Sequence, residues 1–195
     1  TVALLDEARA GVPMLAAWKP HADALQVFAA ARGLRWDKTP MLAEGRLDER
    51  ALRVGARRSG RRAHHLGARL AFAAPLALGL ALRREGLLDG LRTAFGGQDI
   101  QVGDAAFDRR FLIRAEPAHA ARAALLFDPL VRAQLLEIDH EVGALRIDDE
   151  GLVVEPIRAE RPPGKVVAMI DSLPELAARV ERNLLHGAEQ TGPYR

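Results

Sequence analysis

Between Leu52 and Arg57 every second residue is apolar: Leu52, Val54 and Ala56 interleave with Arg53, Gly55 and Arg57. Side chains along a strand point to opposite faces with a period of two, so this segment is read as a half-buried β-strand. Ser59-Gly60 then offers a two-residue turn, and His64, Leu66, Leu70 and Phe72 share the parity of a returning strand. A chain that contains such a hairpin needs further strands to extend it and helices to cover its apolar face. The helical period is found on both sides of it. Val2 to Ala10 is rich in Ala and Leu and is stopped by Gly11-Val12-Pro13. Ala22 to Arg32 follows Pro20 and stops at Gly33, with Leu25, Phe28 and Ala29 three and four apart on one face. After Pro75, the continuous apolar run Leu76 to Leu82 suits a strand covered on both faces.

The second half carries clearer punctuation. Gly96-Gly97 makes a turn, Ile100 and Val102 lead into Gly103-Asp104, and Phe107, Phe111 and Ile113 alternate along a strand through Arg114. Glu116-Pro117 opens a short helix. Asp128-Pro129 opens another, with Asp as N-cap and Pro where its missing N–H costs nothing, and Val131, Leu135 and Ile138 form its buried stripe. Leu145 and Ile147 start a strand, Glu150-Gly151 turns it, and Leu152 to Val154 returns. Ser172-Leu173-Pro174-Glu175 reads as a capping box that starts a C-terminal helix striped by Leu173, Ala177, Val180 and Leu184 and closed by His186-Gly187. The expected fold is α+β, an antiparallel sheet or meander flanked by helices on one side. It is expected as a single domain over 1–195, since no polar linker marks a division near 33 or 95.

Composition removes several function classes. The chain has no Cys, which excludes a disulfide framework, a thiolate metal site and cysteine catalysis. Lys and Arg number 28 against 26 Asp and Glu, a net charge of +2 that gives no whole-protein field for nucleic acid. The apolar run from Leu70 to Leu82 is broken by Pro75 and Gly79 and falls short of the ~20 residues that span a bilayer as a helix. Arg outnumbers Lys, of which only Lys19, Lys38 and Lys165 occur, and with the abundant Ala and Leu this resembles the usage of a GC-rich bacterium.

One stretch carries a family resemblance. Val102-Gly103-Asp104, then Phe107-Asp108 and Phe111, then Leu125-Leu126, Arg132 and Leu135-Leu136 resemble an uncharacterised bacterial domain family. In that family a "GD..FD..F" strand precedes two short helices and a closing hairpin, often behind membrane-anchoring helices. The resemblance covers about a third of the chain and implies no catalytic residue.

Arg57-Arg58-Ser59-Gly60-Arg61-Arg62 is the sharpest candidate site. Around a Ser59-Gly60 turn, Arg58 faces Arg61 and Arg57 faces Arg62. Like charges opposite one another on paired strands are destabilising, and an anion relieves them. The alternative is a solvated tip whose carboxylate partners come from elsewhere in the fold. No aromatic residue interleaves the arginines, so stacking on bases has no support.

Other constellations are read as structural. Asp104 caps a turn and Asp108 pairs with a surface cation such as Arg109 or Arg110. His64 and His65 point to opposite faces of a strand, while His140 and His186 sit where a helix dipole favours them. Asp139-His140-Glu141 holds the ingredients of an acid–base pair without a partner to orient it. Pro162-Pro163-Gly164-Lys165 lacks the leading Gly and the Ser or Thr of a phosphate-binding loop, and neither Ser59 nor Ser172 has a nucleophile's context. No metal or cofactor is expected.

The expected function is a non-catalytic binding or scaffold domain of a bacterial assembly. Its expected partner is a protein, a second copy of the chain or an acidic membrane surface, and not nucleic acid. The expected setting is the cytoplasm, with the soluble part of a membrane-associated protein as the variant. A small-molecule enzyme with a site assembled from sequence-distant residues is the alternative, and it calls for a deep pocket with convergent ionisable groups.

Overall fold

The computed structural model describes residues 16–39, 41–59, 63–85 and 99–190, the side chains at 58, 59, 63, 64 and 187–190 excepted. The expected first helix, Val2 to Ala10, and the Gly96-Gly97 turn lie outside them. Eight strands form one sheet: β1 (Arg35–Asp37), β2 (Leu42–Leu47), β3 (Arg50–Ser59), β4 (Ala63–Ala71), β5 (Ala81–Arg84), β6 (Phe111–Arg114), β7 (Gly143–Asp148) and β8 (Gly151–Ile157). Their spatial order is β1-β2-β3-β4-β8-β7-β5-β6, and every neighbouring pair is antiparallel. Among the described residues five α-helices accompany the sheet: α1 (Lys19–Ala31), α2 (Ala105–Asp108), α3 (Ala120–Leu125), α4 (Pro129–Glu141) and α5 (Pro163–Gln190). The long helix α5 touches α1, α3 and α4 as well as β4 and β8, which gathers the helices on one face. This is the α+β architecture that the alternating and helical periods imply.

The core lies between the helices and that face. Leu52 and Val54 from β3, Leu66 and Leu70 from β4, Leu152 and Val154 from β8, and Leu145 and Ile147 from β7 are all buried. Leu25, Phe28 and Ala29 of α1 and Val131, Leu135 and Ile138 of α4 meet them as expected. Asp128 caps α4 by accepting from the amide of Val131 at 2.8 Å, and the β7–β8 hairpin turns at Asp149-Glu150, one residue ahead of the expected Glu150-Gly151, with Gly151 already in β8 and paired to Asp148.

Four expectations are corrected. Strands β3 and β4 pair as far as Ser59 with Ala63, with Arg58 opposite His64 and Arg57 opposite His65. This overturns the expected facing of Arg58 with Arg61 and of Arg57 with Arg62 across a Ser59-Gly60 turn, since each of the two β3 arginines has a histidine opposite it; residues 60–62 lie outside the described residues. Second, Phe107 belongs to the short helix α2, not to a strand. Asp104 caps it by accepting from Ala106 and Phe107, and the Asp108 carboxylate accepts from the amides of Val102, Gly103 and Asp104, each at 3.1 Å. Asp108 thus holds backbone, where a surface cation was expected. The strand starts at Phe111; Phe107, Phe111 and Ile113 are all buried, and the two rings lie 4.9 Å apart between centroids.

Third, Leu76 to Leu80 is irregular and only Ala81 to Arg84 forms ladder. The cause is Asp149, whose carboxylate accepts from the amides of Leu78, Gly79 and Leu80 at 3.1, 2.8 and 3.0 Å. Gly79 has φ +64°, the left-handed conformation that lets consecutive amides converge on one anion. Fourth, the C-terminal helix begins at Pro163, well ahead of Ser172, whose hydroxyl donates to the Met169 carbonyl at 2.9 Å instead of capping. Pro174 lies inside the helix, which also runs past His186-Gly187 to Gln190.

Candidate functional site

The face of the sheet turned away from the helices follows from the register. Arg35, Glu44, Arg53, Arg69, Val153 and Arg146 stand side by side on six adjacent strands, forming one rung across the sheet. A second rung runs Ala71, Gly151, Asp148, Ala81 and Arg114, and Arg46, Arg57 and Arg83 share the same side. Asp37 and Glu155 supply its remaining carboxylates. No described element packs on this face. Among the described residues it carries eight arginines against four carboxylates, in a chain whose net charge is only +2.

Some of these cations are neutralised. Glu155 lies between Arg146 at 2.7 Å and Arg57 at 3.5 Å. Gly67 makes room for that pairing, because a Cβ there would stand 3.0 Å from the Glu155 carboxylate and 3.1 Å from Arg57 Nε. Glu44 holds Arg35, and Asp148 lies 3.9 Å from Arg69. Arg53, Arg83 and Arg114 have no carboxylate or hydrogen-bond partner among the described residues, and Arg114 Nε is also shielded from water. Arg53 stands directly opposite Arg69, the like-charge pairing that sheets disfavour.

Around that pair the sheet surface dips into an open groove of about 490 Å³, lined by Arg35, Glu44, Gly45, Ala51, Leu52, Arg53, Arg69 and Ala71. The small side chains of Ala51 and Ala71 make the hollow and the arginines wall it. The lining contains no His, Ser, Thr, Tyr or Lys. Among the described residues no three His, Cys, Asp or Glu side chains converge in a way that could hold a metal ion.

Of the four arginines singled out from sequence, Arg57 is on this face and tied to Glu155. The Arg58 side chain and residues Arg61 and Arg62 lie outside the described residues. Sequence reasoning missed Arg53 as a site residue, although its alternation with Leu52 and Val54 already put it on the solvent side. It also missed Arg69, whose approach to Arg53 depends on cross-strand register.

On the helical side, Asp139 of α4 is buried, receives a hydrogen bond from Arg110 and lies 3.8 Å from Arg84. This makes it part of an ion pair joining α4 to β5 and the turn before β6, and not a member of an acid–base dyad with His140. His140 contacts Glu141, which also takes Lys165. Those contacts hold the Glu141 carboxyl below its ordinary range, the Lys165 ammonium acting most strongly. His21 of α1 is buried against Trp18 and its Nε2 meets the Arg161 carbonyl at 2.9 Å; burial lowers its pKa, partly opposed by that carbonyl.

No helix among the described residues is long and apolar enough to cross a membrane. The sequence matches no family model and no curated protein. Its fold is nevertheless that of a solved protein, the mycobacterial trehalose monomycolate transport factor A, at a TM-score of 0.56 and 9% identity, over 85% of this chain and 95% of the other. What the two share is therefore the architecture.

Proposed function

We propose that this chain is a non-catalytic binding domain that meets an acidic protein partner through the face of its sheet on which no described element packs. The observation that carries the reading is the segregation of charge: among the described residues of a nearly neutral chain, eight arginines and four carboxylates share one strand-built surface. Arginine is the cation best suited to such a role, being always charged, weakly hydrated and able to grip carboxylates with two hydrogen bonds. The lining of the open groove, without a nucleophile or a histidine, supports binding over chemistry. That this fold also occurs in a mycobacterial transport factor fits a scaffold that carries a contact surface. The resemblance of the Val102 to Val154 stretch to an uncharacterised bacterial domain, often found behind membrane-anchoring helices and implying no catalytic residue, points the same way, with the Asp104 and Asp108 carboxylates spent on backbone.

Photo-crosslinking residues placed at Ala51, Ala81 and Ala144 on the sheet face, and at Val27 and Leu185 on the helical side, test the reading in bacterial cells. The expected result is a discrete adduct to one acidic protein from the sheet-face positions, lost when crosslinking is repeated in cell lysate at high salt, because exposed charge pairs are screened beyond ~8–10 Å near physiological ionic strength. Adducts arising only from the helical positions, or from none, would refute it.

A further inference from the structure

We infer that the groove over the Arg53–Arg69 pair is the anchor of this surface, a site for one carboxylate carried on an acidic side chain of the partner. The inference rests on the binding role of the sheet face and adds to it a position and a ligand chemistry. Opposed residues on antiparallel strands bring their Cβ atoms to ~4.5–5.5 Å, so two guanidinium groups on neighbouring strands share one space above the groove. The fold keeps them together although nothing among the described residues bonds to Arg53. A carboxylate between them accepts from both guanidinium groups and turns the repulsion into attraction.

The local charge count selects the valence of the ligand. Three cations wall the groove, Arg35, Arg53 and Arg69. Glu44 cancels Arg35, and Asp148 approaches Arg69 only at 3.9 Å from the adjoining rung. With Asp148 counted as the partner of Arg69, the remaining excess is one charge, centred on Arg53, which a single carboxylate meets and a phosphate dianion exceeds. The shape selects its carrier. Ala51 and Ala71 give the groove a shallow apolar floor, and it opens along a sheet whose further cations, Arg146 and Arg114, extend beyond it. A free small acid covers only the groove, whereas an acidic segment of a protein also reaches those neighbours.

The test uses the whole chain and a fluorescent hexaglutamate peptide, with inorganic phosphate and phosphatidylglycerol vesicles as competing probes. Side-chain Nε resonances of arginine are followed by NMR during titration of the wild type, and peptide affinity is measured by fluorescence polarisation for Arg53→Gln, Arg69→Gln and Arg83→Gln. The expected result is that the Nε signals of Arg53 and Arg69 move first and saturate, and that each of their Gln variants weakens binding roughly tenfold, with Arg83→Gln close to wild type. Arg53→Lys should not restore affinity, because a point charge cannot make the two-pronged contact. Equal weakening by all three Gln variants would overturn the anchor and leave the charged face as a diffuse field. Absence of any peptide binding would overturn both readings. Vesicles that bind more tightly than the peptide, with the same dependence on Arg53 and Arg69, would overturn the assignment to a protein carboxylate.

Discussion

Removing the cation and removing the anion of the Asp139 ion pair should have unequal costs, and the structure gives the sign. The Asp139 side chain is 1% exposed, whereas those of Arg110 and Arg84 are 37% and 36% exposed. Arg110→Met keeps most of the apolar stem but strands a carboxylate from which water is excluded, and whose Oδ1 already has no hydrogen-bond partner among the described residues. Uncompensated buried charges cost about 3–5 kcal/mol; because Arg84 remains 3.8 Å away, the lower end, about 3 kcal/mol, applies. Asp139→Asn leaves two cations that already reach water, and should cost about 1 kcal/mol or less. In a chain of this length each kcal/mol moves Tm by ~2–4 °C, so Arg110→Met should fall by roughly 6–12 °C and Asp139→Asn by no more than about 4 °C. The double variant should recover part of the Arg110→Met loss, because the stranded charge is gone. Urea unfolding followed by circular dichroism, with the slope m held constant, measures all three. Asp139→Asn costing as much as Arg110→Met would show that burial of the carboxylate is not what sets the energy.

Four further outcomes are expected. His21 binds its proton less readily folded than unfolded, so the unfolded chain takes up more protons as pH falls through the ordinary value near 6.5. Unfolding free energy should therefore drop below that pH and level off once the folded imidazole is also charged, and urea titrations at pH 7.5 and 5.5 should show the drop in wild type and its loss in His21→Gln. Gly151→Ala should cost roughly 3 kcal/mol by chemical denaturation, because the added Cβ would stand 2.1 Å from the Leu70 carbonyl oxygen across β4 and β8. Phe111→Ala should cost about 3–5 kcal/mol, since the ring is buried against Phe107. Ser172→Ala should stay within about 0.5 kcal/mol of wild type, for a mid-helix hydroxyl bonded to a carbonyl is readily replaced by Ala; a loss near 1 kcal/mol would restore its role as a cap.

The parts of the fold that were legible are those whose cause is local. The β3 alternation, the Asp128-Pro129 helix start and the Leu145 to Val154 hairpin each carry their own period or turn chemistry, and the structure has them. The Leu76 to Leu80 segment was misread because its amides are satisfied by Asp149, about seventy residues away, and no local pattern announces that acceptor. Phe107 was misread because a four-residue helix is too short to show a helical period, and its residues share the strand's parity by coincidence. Ser172 has every local mark of a cap, but Val166 and Ile170 before it are buried with Leu173, Ala177 and Val180 after it, and that continuous apolar stripe carries the helix straight through. The candidate site was half visible. Arg57 could be placed on the solvent side from its neighbours, whereas the meeting of Arg53 with Arg69 exists only once the register is known.

The position of β8 in the strand order has a consequence for synthesis. Ala71 of β4 pairs with Gly151 of β8, so the inner edge of the N-terminal meander waits for a strand made about eighty residues later. At ~5–20 residues per second a ribosome needs roughly 4–16 s to supply it. During that interval β4 offers an unfilled row of amides and carbonyls beside Leu66 and Leu70, the kind of edge on which nascent chains pair with one another. Arg69, on the face of that waiting strand, is the kind of charged neighbour that disfavours pairing with another chain.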